Sequence, residues 1–477
     1  MGPAHGGSSA WLHPGGGDLL SLRGPLRAGD ERRAERVTMD REFSIAEGGL
    51  SFPLPKWRRV AQSFDAPRVD SIPETVAREM RKLEGRVRPG MSVAVGVGSR
   101  GVARLAEIVR ATVTELKRLG ARPFIVSAMG SHGGATAEGQ LEVLAGYGVT
   151  AQSMDVPFEP SMETVLLGST ATGMPLHWSR AALRADAVLP VNRVKAHTDF
   201  HGEVESGLSK MLAIGFGKQK GAATVHKRGF DTFHEVVPET ARLVFEKVNV
   251  LGGVASVENA LEDVAHLEVV PGDRIASREP ELMRLSRSLM PRIPFDRLDV
   301  LVVDYLGKDI SGMGMDPNVT GRYAVRHIVD PRNPKKLAVL RLTELTQGNA
   351  CGLGVADVTT RAVVENIDYQ KYWTNVVAST ELTNGKTPIW VPDDRSAIAL
   401  VIATAPRADP LAPRLVRIES TLHLREMWVA EALWQSDGRG QPSLRALGEP
   451  CEMPFTPDGR LADLPALRSA HGRTPWT

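Results

Sequence analysis

The chain has 477 residues, of which 42% are hydrophobic and 24% charged, and its formal net charge at pH 7 is +2. This composition is typical of a soluble globular protein with two or three domains. The nearly balanced charge and the aromatic content of 5% argue against a nucleic-acid partner. No apolar run reaches about 18 residues, so we expect no membrane-spanning segment and no membrane partner.

The cysteines and the N-terminal segment indicate a compartment. Cys351 and Cys451 lie a hundred positions apart, which is neither a disulfide framework nor a thiolate metal site. Two free thiols are typical of a reducing environment. The N-terminal segment lacks the apolar stretch of a secretory signal. We therefore expect a cytoplasmic protein.

Changes in composition along the chain suggest where its domains begin and end. Residues 1–38 are rich in Gly, Arg, Ser and Pro, and we expect a disordered extension there. Met39 precedes an ordinary globular sequence and is an alternative start. We expect an N-terminal catalytic and cofactor domain over 39–245, a C-terminal α/β domain over 246–455 and a loosely held tail over 456–477.

From about residue 90, apolar strands alternate with amphipathic helices. This alternation predicts mostly parallel sheets covered on both faces, hence two α/β domains with an active-site cleft between them. The predicted strands are 92–97, 123–129, 187–192, 248–257, 299–306, 336–342 and 397–404. The predicted helices are 102–119 and 136–146, with a further helix and a loop within 280–297.

Reactive side chains follow several of these strands. In open α/β sheets, ligands bind outside the carboxyl ends of the strands. Each reactive side chain by itself is also compatible with an ordinary surface residue, but their concentration at strand ends favours a site. The candidates are Ser99, Arg100, His132, His197, His201, Lys210 and His226.

Each residue type suits a particular task. Arg100 carries a planar fork that binds carboxylate or phosphate through two hydrogen bonds. His132 and His197 titrate near neutral pH, and two such groups on opposite sides of one carbon suit a reaction that inverts it. Lys210 suits a nucleophile or a covalent anchor, and His226 suits a metal ligand.

The order and spacing of these residues resemble the lactate racemase family, whose members use a nickel-pincer nucleotide. The interval of sixteen positions from Lys210 to His226 matches the family spacing between the cofactor lysine and the nickel histidine. The resemblance is ordered across about 90–230 and more diffuse beyond. The matching motifs are Ser99-Arg100, Gly130-Ser131-His132-Gly133, His197, Ser206-Gly207-x-x-Lys210 and His226.

The resemblance implies how the cofactor is held. Lys210 would be attached covalently to the pyridinium-derived ring through a thioamide. His226 would complete the coordination of nickel alongside two sulfurs and one ring carbon. Ser99, Ser206 and Gly207 are expected to bind the cofactor as well. Loading such a cofactor makes its biosynthesis proteins expected partners.

The resemblance also implies the chemistry. His132 and His197 would alternate as acid and base, and Arg100 would hold the substrate carboxylate. A hydride would leave the α-carbon for the cofactor while a histidine takes the hydroxyl proton, and its return to the other face would invert the centre. We therefore expect a nickel-dependent isomerase, a racemase or epimerase of an α-hydroxy acid.

Some positions differ from the usual family pattern. Val97 stands where family members have an Asp three residues before the arginine. Three extra residues between His197 and Lys210 bring in His201 and Glu203. These differences indicate a substrate other than lactate.

The Gly-rich segment 307–322 follows a predicted strand and contains several polar residues. A loop at that place can close over a substrate from the second domain. We expect Lys308 to contact the substrate as a second cation, and the alternative is a long structural turn. Trp373 stands where the family's substrate loop has a lysine.

Two other interpretations stay open. In the first, the chain is a redox enzyme on the same scaffold, which forms a ketone, or a metal-dependent lyase with His201 among the metal ligands, which removes water from the acid. Alternatively it is a non-catalytic protein that binds a nucleotide or a metal, and substitution of His132 or His197 leaves that binding intact. The concentration of titratable groups argues against the non-catalytic interpretation.

Overall fold

A computed structural model describes residues 49–98 and 101–462. The expected extension over 1–38, the residues Ser99 and Arg100, and the tail beyond residue 462 lie outside this part of the chain. Up to residue 462 the C-terminal segment is packed, since Leu461 is buried and its N–H donates to Asp394 Oδ2 at 2.9 Å.

The strands of the described residues are, in chain order, β1 (Trp57–Gln62), β2 (Ser92–Val97), β3 (Arg122–Ser127), β4 (Thr164–Ser169), β5 (Pro175–Ser179), β6 (Ala187–Arg193), β7 (Gly252–Glu258), β8 (Val264–Pro271), β9 (Val300–Leu306), β10 (Lys336–Leu342), β11 (Val358–Thr360), β12 (Ile389–Val391), β13 (Leu415–Ile418), β14 (Glu426–Ala430) and β15 (Leu444–Ala446).

The α-helices of the same residues are α1 (Ile72–Met80), α2 (Leu105–Arg118), α3 (Ala137–Gly146), α4 (Ala151–Met154), α5 (Arg180–Leu183), α6 (Leu208–Lys210), α7 (Lys218–His226), α8 (Phe233–Lys247), α9 (Ile275–Leu289), α10 (Pro317–Thr320), α11 (Arg361–Glu365), α12 (Tyr369–Ser379), α13 (Asp394–Ala403) and α14 (Glu431–Leu433). Two π-helical turns, Met211–Gly215 and Trp434–Gly438, follow α6 and α14. Among the helices described, none combines the length and the apolar character needed to cross a membrane.

One sheet of the described residues has the spatial order β3-β2-β6-β7-β8. Its pairings are parallel from β3 to β7, and β8 pairs antiparallel with β7. Strand β2 is buried on both faces: Val93 and Val95 pack in one cluster with α1 and α2, and Ala94 packs in another with Phe216. A Cβ on Gly96 would lie 2.1 Å from the Phe216 ring, so glycine lets that ring lie flat on the strand.

A second large sheet has the order β12-β11-β10-β9-β13-β14-β1-β15 within the described residues. It is parallel from β12 to β13 and antiparallel from β13 to β15. The two sheets do not divide the chain at one point, because β1 joins the second sheet and β7 and β8 join the first. Mostly parallel sheets covered by helices confirm the predicted α/β class. The division into domains at residues 245 and 246 stays a prediction.

The predicted strand over 397–404 is wrong, since residues 397–403 belong to helix α13 and Thr404 caps its C-terminus. Residues 397–402 are all buried, and the helix packs against β10 and β11. A fully buried apolar run has no periodicity that distinguishes a strand from a helix. Asp393 caps the N-terminus of this helix, and its side chain accepts a hydrogen bond from Ser396 N at 2.8 Å. The other predicted strands and helices are confirmed with boundary shifts of a few residues.

A buried ion pair crosses the centre of the second sheet. Arg417 on β13 donates from Nε to Asp304 Oδ1 on β9 at 2.8 Å, and the two side chains are only 1% and 2% exposed. The guanidinium also lies over the Trp57 ring of β1, 5.1 Å from its centroid. These contacts link three strands that are distant in sequence.

We expect Arg417→Ala to lower the free energy of unfolding by about 3–5 kcal/mol, because it leaves Asp304 charged and buried without this partner. Arg59→Ala is the matched control, since its pair with Glu426 has side chains 54% and 48% exposed, and we expect a loss below about 1 kcal/mol. Urea unfolding measures the free energy of unfolding of both variants and of the unmodified protein. Equal losses in the two variants would contradict the prediction.

Candidate active site

Three parallel strands end beside one another and carry the first group of candidate residues. Because β3, β2 and β6 are neighbours, the segments that follow them meet at one edge of the sheet. A Cβ on Gly98, directly after β2, would lie 2.9 Å from Met211 Cε. After β3, Gly130 donates its N–H to Gly215 O at 3.1 Å. The segment 207–226 therefore packs across these strand ends.

The loop after β6 is closed at its base. Lys195 and Ser206 exchange two backbone hydrogen bonds, with N···O distances of 2.9 and 3.2 Å. Asn192 at the end of β6 donates from Nδ2 to Gly207 O at 2.8 Å. This closure places Ser206 and Gly207 beside the end of β6, so the turn that carries Lys210 starts at the sheet edge.

The turn that carries Lys210 is held by a buried carboxylate of α9. Ser209 donates its backbone N–H to Glu279 Oε2 at 2.9 Å, and its hydroxyl also contacts that oxygen. Burial raises the pKa of Glu279 above its usual value, although the hydrogen bonds from Ser209 oppose this rise. A Cβ on Gly207 would lie 1.9 Å from Glu279 Oε1, so glycine is required for space rather than for its backbone angles.

A second buried carboxylate, Glu205, organises the loop after β6. Its side chain accepts hydrogen bonds from the His197 amide, from His201 Nδ1 at 3.2 Å and from Arg287. Burial by itself would raise the pKa of this carboxyl, but those hydrogen bonds outweigh burial and lower the pKa below its usual value. The charged form of Glu205 therefore fixes the backbone of His197.

His197 is buried, and a hydrogen bond to its ring determines which nitrogen carries the proton in the neutral form. Asp199 donates its backbone N–H to His197 Nδ1 at 3.0 Å, so Nδ1 holds a lone pair and Nε2 carries the proton. The ring packs on Phe200 and Phe230, with centroid distances of 4.6 and 5.9 Å. In this form His197 is a hydrogen-bond donor through Nε2.

His226, at the end of α7, has the opposite tautomer. Its Nδ1 lies 2.7 Å from Ala222 O, and a carbonyl oxygen only accepts, so Nδ1 carries the proton. Nε2 of the neutral ring then holds a lone pair, the form that binds a metal ion with a backbone carbonyl behind it. The ring contacts Phe230 and Phe233 at centroid distances of 5.7 and 5.5 Å. His197 and His226 thus pack against the same phenylalanine, Phe230.

His132 lies in the turn after β3, half-buried. Its carbonyl accepts a hydrogen bond from Gln140 Nε2 at 3.2 Å. Two residues earlier, a Cβ on Gly130 would lie 3.3 Å from Ala222 Cβ. The His132 turn therefore packs against the helix that carries His226.

The Gly-rich segment of the second sheet reaches this loop through Asn318 rather than through Lys308. Asn318 donates from Nδ2 to His197 O at 3.0 Å. Tyr323 donates its hydroxyl to Asn318 Oδ1 at 3.0 Å and lies 3.2 Å from His201 Nε2. Lys308 Nζ donates to Gly312 O within its own loop, and its contact with a substrate stays a prediction.

A shallow cleft with an internal volume of about 10 Å³, room for about one water molecule, lies beside Thr198 and Asp199, which directly follow His197. Its walls come from the residues just after His197 and from the Gly-rich segment with its neighbours. The lining includes Thr198, Asp199, Met313, Met315, Pro317 and Arg322. His197 therefore lies next to a small gap where two distant parts of the chain meet.

Several residues of this arrangement were not predicted as site residues. Glu279 carries no sequence signal, because it lies 70 positions beyond the turn that it holds. Asn318 was considered only as part of a polar loop. Lys218 stands between glycines of a Gly-Lys-Gln-Lys-Gly run, and that unusual context was the one available signal. Across residues 49–98 and 101–462, no group of three or more His, Cys, Asp or Glu is placed to hold a metal ion by itself.

Comparisons with known proteins give distant structural matches. No protein-family model and no curated protein matches the sequence. A Thermotoga maritima protein of known crystal structure is similar with a TM-score of 0.45 and 14% identity, over 67% of this chain and 87% of that chain. The lactate racemase apoprotein of Thermoanaerobacterium thermosaccharolyticum is similar with a TM-score of 0.42 and 11% identity, over 76% of this chain and 88% of that chain. Both TM-scores are below 0.5, so these similarities say nothing about the activity of this chain.

We expect Gly207→Ala to lower the free energy of unfolding by about 1–3 kcal/mol, because the new Cβ overlaps a buried carboxylate oxygen of Glu279. Gly448→Ala is the control, since nothing lies within 4 Å of a Cβ there, and we expect a change within about 0.5 kcal/mol. Urea unfolding followed by circular dichroism compares them. A Gly207→Ala protein as stable as the control would contradict the packing described.

Proposed function

We propose that this chain is a divergent relative of the lactate racemases, a racemase or epimerase that inverts the hydroxyl-bearing carbon of an α-hydroxy acid with a nickel-pincer nucleotide. The observation that supports this best is the pair of histidines with opposite tautomers on Phe230. In their neutral forms His197 carries its proton on Nε2, and His226 carries its proton on Nδ1. A proton-transfer group beside a metal-ligand group is what this reaction needs.

The residues present fit the proposed cofactor. Neutral His226 has the tautomer of a nickel ligand, with its Nδ1 proton held by Ala222 O. Lys210 lies on a turn that Glu279 and Gly207 hold against the sheet, and a π-helical turn follows it directly. Such π-helical turns are frequent at functional sites. When bound, this cofactor supplies a hydride acceptor that no amino-acid side chain provides.

His197 and His132 are the residues that we propose to move the substrate's hydroxyl proton. In its present tautomer His197 donates from Nε2, so it starts as the group that holds the substrate oxygen by a hydrogen bond. His132, half-exposed in the neighbouring turn, then starts as the base that takes the proton. For the reverse direction the two exchange these roles, because a racemase must work on both enantiomers.

The cleft beside His197 is the proposed substrate site. Its walls are partly apolar, with Met313, Met315 and Pro317 among them, and its volume of about 10 Å³ must enlarge before a hydroxy acid can enter. Arg100 remains the proposed carboxylate ligand, and Ser99 and Ser206 remain proposed cofactor contacts. A cytoplasmic location and dependence on cofactor-biosynthesis proteins also belong to the proposal.

The alternative lyase with His201 as a metal ligand has less support. His201 Nδ1 contacts Glu205, and its Nε2 contacts the Tyr323 hydroxyl. Burial first, and then the nearby Asp316, raise the pKa of Tyr323, so that hydroxyl keeps its proton at neutral pH. Both ring nitrogens of His201 are therefore engaged by protein groups, which favours a role in joining the two sheets.

The first test is intact-mass spectrometry with nickel analysis, after co-expression of the full chain with the proteins that make the cofactor. We expect a covalent adduct that maps to Lys210 and about one nickel per chain. Lys210→Arg should abolish the adduct, and His226→Ala should lose nickel. Lys220→Arg, at an exposed lysine of α7, is the control and should keep both. An unmodified Lys210 without nickel in a folded sample would contradict the proposal.

The second test measures inversion of a panel of chiral α-hydroxy acids by the loaded enzyme. We expect His132→Gln and His197→Gln each to lower the rate by about 10²- to 10⁴-fold, because each removes a proton-transfer group, while the adduct and nickel are retained. His266→Gln, on the antiparallel edge strand β8, should leave the rate unchanged. Accumulation of a ketone without inversion would favour the redox alternative instead.

A further inference from the structure

Lys218 is a buried cation that the proposed reaction does not use. Its side chain is fully buried, and its backbone has a φ of 54°, in the left-handed region that favours glycine. Both features are costly for a lysine. A lysine that carries both costs indicates that its ammonium group is needed where it lies.

The ammonium group binds one residue, Ser127, at the carboxyl end of β3. Nζ donates to Ser127 O at 2.6 Å and to Ser127 Oγ at 2.9 Å. Burial lowers the pKa of Lys218 to about 8, so the group is still mostly charged at neutral pH. An ammonium group only donates, and Ser127 Oγ must therefore accept this bond.

The direction of that bond sets the direction of the next two. Since Ser127 Oγ accepts from Lys218, its own hydrogen points to Gln140 Oε1, 2.6 Å away. The amide of Gln140 then has only one orientation, with Nε2 donating to Gly130 O at 2.9 Å and to His132 O at 3.2 Å. The reversed amide would aim Oε1 at those two carbonyl oxygens, which repel it.

We propose that Lys218 is a positioning residue for His132: its ammonium group, through Ser127 and Gln140, holds the turn on which His132 lies. The chain of contacts is Lys218 Nζ to Ser127 Oγ to Gln140 Oε1, and Gln140 Nε2 to the carbonyls of Gly130 and His132. Its value to catalysis rests on the proposed function of His132, but the positioning itself does not.

The test uses the full chain labelled at histidine Cε1, with NMR titration of the imidazole signals and hydrogen exchange followed by mass spectrometry. The His132 signal is assigned by its loss in His132→Gln. The test variants are Lys218→Met, which removes the ammonium group at similar side-chain length, and Gln140→Met, which breaks the chain further along. Lys220→Met, at an exposed lysine two positions away, is the matched control.

We expect both test variants to shift the His132 imidazole signal and its titration midpoint. We also expect amide exchange around 130–133 to become roughly 2- to 10-fold faster, as the loss of one net hydrogen bond allows. The control should change neither, and the His266 signal, at the other edge of the sheet, should stay in place in every variant. A shift at His132 alone is a readout that general destabilisation would not give.

An unchanged His132 signal in folded Lys218→Met protein would overturn the proposal, and so would a change in Lys218→Met without one in Gln140→Met. If Lys218→Met does not fold, Ser127→Ala decides by the same criteria, because it removes the hydroxyl that links Lys218 to Gln140 and leaves both of those side chains in place. Neither measurement needs nickel, cofactor or substrate. An unmodified Lys210 in the mass experiment would therefore leave this result intact, and a failure here would leave the proposed function intact.

Discussion

The parallel arrangement of β3, β2 and β6 is the constraint on which the candidate site depends. It brings the segments after three strands to one edge, and the Lys195–Ser206 backbone bridge then directs the chain back across that edge. The segment from Gly207 to His226 is consequently part of the sheet's end rather than a free loop. A site built on strand ends is more rigid than one built on a long loop, because the backbone hydrogen bonds of the sheet support it.

Two buried carboxylates stabilise this arrangement by binding backbone groups. Glu205 accepts from the His197 amide, and Glu279 accepts from the Ser209 amide, so each fixes a segment that carries a candidate residue. Buried charges are normally paired or well hydrogen-bonded. The two carboxylates differ in their partners. Glu205 forms an ion pair with Arg287, whereas burial raises the pKa of Glu279. The first is held as an anion, and the second is held closer to neutrality by its surroundings.

The two sheets are coupled where the proposed chemistry takes place. Asn318 and Tyr323 belong to the second sheet's Gly-rich segment and its continuation, and they bind the His197 carbonyl and the His201 ring. The loop that carries His197 is therefore held from both sides. The Asn318 bond thus connects the second sheet's loop directly to the backbone of His197, a proposed proton-transfer residue.

The sequence by itself determined the α/β class, most of the strands, and the segments that carry His132, His197, Lys210 and His226, because these depend on local periodicity and on residue type at strand ends. It misassigned 397–404, where the buried apolar run over 397–402 has no period. Only the tertiary structure decided which tautomers the histidines adopt, which carboxylate holds the Lys210 turn, and that Lys218 is buried behind Ser127. The tautomers depend on how the backbone folds around each ring, and the last two properties depend on partners 70 and 91 positions away in the chain, distances that no local pattern encodes.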